Sequence, residues 1–82
     1  MSPPRPANLH GSVVLVGADG ILIRGASGSG KSRLALDLVE RARAAGRFAA
    51  LVADDRVDLT AAGGRLVARV PAGLAGLVEI RS

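Results

Sequence analysis

Gly25-Ala26-Ser27-Gly28-Ser29-Gly30-Lys31-Ser32 is the stretch that decides how the rest of the chain is read. It fits the pattern G-x-x-x-x-G-K-[ST], which carries weight only when a strand precedes it and a helix follows. Both conditions are met. Ile21-Leu22-Ile23 is a short apolar run of strand type, and from Arg33 to Ala45 the period changes. There Leu34, Leu38, Ala42 and Ala45 fall on one helical stripe, with Ala35 and Val39 beside it. In this setting Gly25, Gly28 and Gly30 admit backbone torsions that a side chain forbids, so successive N–H groups can converge on one anion. The helix beginning near Lys31 adds its unpaired amides and positive dipole end. Lys31 is then expected to bridge the outer phosphates of a nucleotide, and the Ser32 hydroxyl to hold Mg²⁺. Lys31 is the one lysine beside ten arginines, and such a loop accommodates a compact ammonium better than a planar guanidinium. The plainer alternative is a glycine-rich turn that caps a helix.

Upstream, Ser12 to Val16 is apolar and largely β-branched, and Gly17-Ala18-Asp19-Gly20 supplies turn chemistry before Ile21. This predicts a hairpin. The unbroken apolar character of Ile21 to Ile23 suits a strand covered on both faces at the centre of a sheet. Downstream, Gly46 marks the helix stop, and Phe48 to Ala53 reads as a buried strand that ends on Asp54-Asp55. On the exposed helix face Asp37–Arg41 and Glu40–Arg43 are spaced as ion pairs. Val57 to Leu59, the turn from Thr60 to Gly64, and Leu66 to Val70 predict a second hairpin, closed by Pro71. Leu77 to Ile80 predicts a last short strand. Leu51-Val52-Ala53-Asp54-Asp55 resembles a Walker B segment, in which a buried strand brings a carboxylate to the metal and the transferring phosphoryl group. Two adjacent carboxylates exceed what one metal requires, and the second could accept an acceptor hydroxyl proton. A polar strand end entering a turn is the alternative. His10 alone reads as a structural or surface residue as readily as a functional one, and so does Glu79.

The 82 residues make one domain, 49% hydrophobic and 22% charged, a balance that excludes disorder and coiled coil. Phe48 is the single aromatic, so the core must be built from Ala, Val, Leu and Ile. Residues 1–8, with three prolines, read as a flexible lead, and order is expected from Leu9 to Ser82. There is no cysteine, hence no disulfide or thiolate site. The lead has no apolar signal region and no run reaches membrane-spanning length, which predicts a cytoplasmic chain. The net charge of +4 is carried by scattered arginines with no stacking aromatics between them, so no nucleic-acid surface is expected.

Taken together, His10-Gly11, the first hairpin, Gly25 to Ser32, Leu51-Val52-Ala53-Asp54-Asp55-Arg56-Val57 and Leu77-Val78-Glu79-Ile80-Arg81 resemble the C-terminal catalytic domain of the HPr kinase/phosphorylase family. The resemblance runs from Leu9 onward and looks like the compact form without the family's separate N-terminal domain. It implies an α/β fold of the P-loop type related to phosphoenolpyruvate carboxykinase. The implied activity is an ATP-dependent serine kinase acting on HPr, the phosphocarrier of the sugar phosphotransferase system, paired with a phosphorolysis that yields pyrophosphate. By that resemblance, Gly25, Ala26, Ser27, Gly28, Ser29, Gly30, Lys31 and Ser32 would bind ATP, while Ser32 and Glu79 would hold Mg²⁺. Asp55 would accept the proton in phosphorylation and donate it in the reverse reaction. Asp54 would support Asp55, and His10 would sit beside that carboxylate and tune its protonation. The family assembles as homo-oligomers, typically hexamers. It continues past Glu79-Ile80-Arg81 with glycine and further elements, whereas this chain has Ser82 and stops, so it reads as a C-terminally incomplete domain. A non-catalytic ATP-binding fragment and a small-molecule kinase remain the alternatives.

Overall fold

A ten-residue strand, β1 (Ala7–Val16), organises the molecule, and the computed structural model describes residues 7–25, 30–54, 56–70 and 76–81. Ala26, Ser27, Gly28, Ser29, Asp55 and Pro71 of the readings above therefore lie outside the described residues. Along one side, Gly11 to Val16 of β1 pair antiparallel with β2 (Asp19–Arg24) through the expected hairpin. Along the other side, Val13 to Val16 pair with β3 (Ala49–Ala53), and Ala7 to His10 pair with β4 (Arg56–Ala62). β5 (Arg65–Arg69) and β6 (Leu77–Glu79) continue the sheet, giving the order β2-β1-β4-β5-β6 with β3 on β1. A parallel bridge from Gly20 to Ile80 curls β6 back onto the start of β2. The second hairpin turns on Gly63 and Gly64, at φ 59° and 77°. A two-residue turn between twisted strands needs left-handed torsions at both positions, which glycine adopts without strain.

Helix α1 (Lys31–Ala44) ends in a Schellman arrangement. The Arg47 N–H donates to the Ala42 carbonyl at 3.0 Å and the Gly46 N–H to the Arg43 carbonyl at 2.9 Å. Gly46 takes φ 80°, the left-handed torsion that the closing residue of that arrangement requires.

Side-chain alternation along β1 separates two apolar clusters. Val13, with Leu9 and Leu15 beside it, faces Val52, Ala53, Val57, Leu59, Ala68, Val70 and Val78 inside the curl. Val14 and Val16 face Ile23, Ala49 and the helix residues Ala35 and Val39 on the other side. The result is a helix laid on a curled sheet, an α/β architecture built from Val, Ala, Leu and Ile.

Four expectations change. Ala7 and Asn8, read above as part of the lead, belong to β1, where they pair with Leu59 and Asp58. β1 has a strand on each side, whereas β2 is paired along its length with β1 alone, so the apolar run Ile21 to Ile23 reflects cover by α1 and the curl rather than a central place in the ladder. The helix turns Lys31, Ala35 and Val39 inward, while Leu34 is half exposed and Ala45 exposed. Small side chains let the helix approach the sheet closely, and a stripe centred on leucines would hold it away. Phe48 lies outside β3 and is 56% exposed. Among the described residues no helix is long and apolar enough to cross a membrane.

Candidate functional site

β2 and β3 are each antiparallel to β1, so they run the same way on either side of it. Their C-terminal ends emerge together, and those ends carry the two sequence features expected to act together. β2 leads through Arg24 into Gly25 and the loop, and β3 leads through Ala53 into Asp54. The beginning of the loop is tied to β1, where the Gly25 N–H donates to the His10 carbonyl at 3.4 Å. Beyond the loop, Gly30 caps α1 and its carbonyl accepts from the Leu34 N–H at 3.1 Å. The first turn of α1 contains no acidic residue of its own, so its positive dipole end is open to an anion from elsewhere in the fold.

A β-bulge decides where Asp54 points. Val14 pairs with Leu51 but Val13 pairs with Ala53, so β3 contributes one residue more than β1 across this step. Val52 and Ala53 consequently both belong to the inner cluster, and alternation resumes with Asp54 turned to the helix side. In a regular ladder Ala53 would face the helix and Asp54 would enter the apolar interior. Bulges beside functional sites commonly re-aim a side chain in this way.

On the helix side Asp54 Oδ1 accepts two hydroxyl hydrogen bonds. Ser32 Oγ, in the first turn of α1, donates at 2.9 Å, and Ser12 Oγ, on β1, donates at 2.8 Å. Ser12 is fully buried, whereas Ser32 and Asp54 are exposed. Lys31, beside Ser32, is only 6% exposed, an uncommon state for a lysine. Leu9, His10, Arg24 and Gly25 line an open groove of about 630 Å³ next to the loop. Arg56, paired across the ladder with His10, donates to Asn8 Oδ1 at 2.9 Å, and Asn8 Nδ2 donates to Asp58 Oδ1 at 2.7 Å. That chain of polar contacts braces the β1–β4 edge of the groove.

The structure thus brings together Ser32, Lys31, Asp54 and the start of the loop at Gly25, with His10 at its entrance. It does not bring Glu79 beside Ser32. β6 runs toward Gly20, whose Cα side lies against the Glu79 carbonyl. The loop leaves the far end of β2, about 16 Å away at the rise of an extended strand. The Glu79 carboxylate instead pairs with Arg65 at 3.3 Å. Among the described residues, no three His, Cys, Asp or Glu side chains cluster as metal ligands. Mg²⁺, however, is usually held by one or two protein oxygens together with phosphates and water. A hydroxyl and a carboxylate oxygen 2.9 Å apart beside a phosphate-type loop fit that requirement. Ser12 is the residue that sequence reading missed. The one signal was a hydroxyl heading the otherwise apolar run Ser12-Val13-Val14-Leu15-Val16.

Comparison with known proteins identifies the family. A family model described as the HPr Serine kinase C-terminal domain matches residues 4–82. The chain is 44% identical over 73 residues to the HPr kinase/phosphorylase of Clostridium beijerinckii, a match covering 89% of this chain and 22% of that protein. The enzyme of the same name from Clostridium tetani is also 44% identical over 73 residues, again 89% of this chain and 22% of the relative. That from Clostridium acetobutylicum is 41% identical with the same coverage. The chain therefore spans about a fifth of the length of these curated relatives, 22%. No solved structure matches.

Proposed function

The chain belongs to the HPr serine kinase C-terminal domain family, and from that premise we propose that it forms the nucleotide-binding part of an ATP-dependent serine kinase acting on HPr, with phosphorolysis as its reverse. The observation that carries this reading is the hydrogen bond from Ser32 to Asp54, which links the loop and the strand-end carboxylate across 22 residues of sequence. In this reading the main-chain N–H groups from Gly25 to Ser32 and the Lys31 ammonium bind the β- and γ-phosphates. Ser32 and Asp54 would supply the protein oxygens for Mg²⁺, which would neutralise phosphate charge. Glu79, held by Arg65 near Gly20, leaves Ser32 and Asp54 as the oxygen pair nearest the loop.

Asp55 takes the proton of the acceptor serine while the serine oxygen forms its bond to the γ-phosphorus and the bond to the bridging oxygen of ADP breaks. In phosphorolysis an oxygen of inorganic phosphate forms a bond to the phosphorus of phosphoserine while the serine O–P bond breaks, Asp55 returns the proton to the serine oxygen, and pyrophosphate leaves. His10, whose carbonyl holds the start of the loop, stands beside the path of the acceptor and assists the carboxylate. The groove lined by Leu9, His10, Arg24 and Gly25 is the approach for that acceptor.

The test is transfer of label from γ-³²P-ATP to HPr by the chain and by Asp55→Ala. The expected loss of labelling is on the order of 100-fold or more, the usual contribution of a positioned proton acceptor. Equal labelling by both would remove Asp55 from that role. Nucleotide binding without any labelling by either would leave an ATP-binding module.

A further inference from the structure

The geometry points to Ser12 as a positioning residue, one that holds Asp54 toward the loop whether or not Ser32 is engaged with it. The inference rests on the nucleotide-site reading above and extends it to a residue of β1.

Two hydroxyls share Asp54 Oδ1, and they are not equivalent. Ser32 is exposed, so it can exchange Asp54 for water or for a bound group at little cost. Ser12 is fully buried on the strand paired on both sides, with Ile23 opposite it on β2. A buried hydroxyl that loses its acceptor bears the full cost of desolvation, so the Ser12 bond is the durable one. Packing does not call for serine at this position, since Val14 and Val16 fill the next two places on the same face. The backbone acts in the same direction. The register that follows the bulge continues from Val13 with Ala53 to His10 with Arg56, which sets Ser12 opposite Asp54. Bulge and hydroxyl are separate features, one of β3 and one of β1, and both turn the same carboxylate to the helix side. When Ser32 engages a ligand, Ser12 still holds Oδ1.

The test uses the 82-residue chain with Ser12→Thr and Ser12→Val, two side chains of one shape that differ by the hydroxyl. ATP affinity is measured by calorimetry with saturating Mg²⁺ and again with EDTA. Ser12→Val is expected to weaken Mg²⁺–ATP binding about 10-fold, as loss of an outer partner of a metal ligand does. Its affinity in EDTA should stay within about twofold, and Ser12→Thr should match the wild type in both conditions. Equal Mg²⁺–ATP affinity of the Thr and Val variants overturns the proposal. So does an equal loss in EDTA, which reports packing alone. A ligand-free readout is the urea-denaturation cycle of Ser12→Ala and Asp54→Ala. The double variant is expected to retain a folding equilibrium constant at least about fivefold above the product of the separate effects, and simple multiplication of those effects overturns the contact. A wild-type chain that binds no nucleotide defeats the proposed function, while the denaturation cycle still decides whether Ser12 holds Asp54.

Discussion

At Lys31 the chain buries an ammonium group in the first turn of its only described helix, 6% exposed. Burial of a cation costs several kcal/mol unless partners compensate, and a bound anion can be one such partner. In the reading above that anion is phosphate. Lys31→Ala is expected to weaken ATP binding about 30-fold or more, the size of a lost hydrogen bond to a charged group with its Coulombic part. Lys31→Arg should recover little of it, because the planar fork does not replace a point charge in a tight loop. Calorimetric titration with ATP checks both variants, and wild-type affinity for Lys31→Ala would place the phosphates elsewhere. Asp54 teaches a related lesson at the same scale. The pair Asp54-Asp55 is plain in the sequence, but which face Asp54 takes depends on a bulge in β3 opposite the step from Val13 to Val14. No property of Asp54 itself records that.

At the scale of elements, α1 was legible as a helix to within two residues, but its inward face was displaced. The period alone favoured Leu34 and Leu38, yet the sheet meets Lys31, Ala35 and Val39, with Leu38 and Ala42 at the margins. A helical wheel gives the spacing of apolar positions, whereas the face that turns inward is set by how closely the partner surface allows the helix to approach. Arg43 fixes the far end of this packing by donating from Nε to the Ala49 carbonyl at 3.1 Å. Two substitutions separate the faces. Ala35→Leu places extra volume at a fully buried position and is expected to cost about 1–3 kcal/mol. Leu34→Ala, at a half-exposed position, should change stability by no more than about 0.5 kcal/mol. Urea denaturation of both variants is the check, and the reverse ranking would put the leucine stripe against the sheet after all. The predicted pair Asp37–Arg41 forms at 2.9 Å on the outer face, where solvent screening keeps its contribution small.

The whole molecule is closed by a seam that adjacent residues do not announce. The Ile80 N–H donates to Leu66, the Arg81 N–H donates to the Gly20 carbonyl at 2.9 Å, and Arg81 Nε pairs with Asp19 at 3.1 Å. At this seam a Cβ on Gly20 would lie 2.5 Å from Val78 Cγ1 and 3.0 Å from the Glu79 carbonyl oxygen. Gly20→Ala is therefore expected to destabilise the chain by about 1–3 kcal/mol, since backbone as well as side chain must move. Thermal denaturation measures it, and an unchanged midpoint would show that β6 does not close on β2. The two strands are distant in sequence, so their meeting carries a chain-closure cost that only the assembled inner cluster of Val13, Val57, Ala68 and Val78 offsets.

Two hairpins, the helix, its glycine stop and the strand leading into Asp54 were determined by the sequence by itself, because each depends on residues within a few positions of one another. The same holds for the loop motif, whose glycines, lysine and serine are contiguous. The central place of β1, the bulge, the inward turn of Ala35, the remoteness of Glu79 from Ser32 and the meeting of Ser12 with Asp54 were decided by the tertiary structure. Each of those depends on which strand lies beside which, and that choice is made by the burial of apolar faces contributed from the length of the chain rather than by the preferences of any one segment.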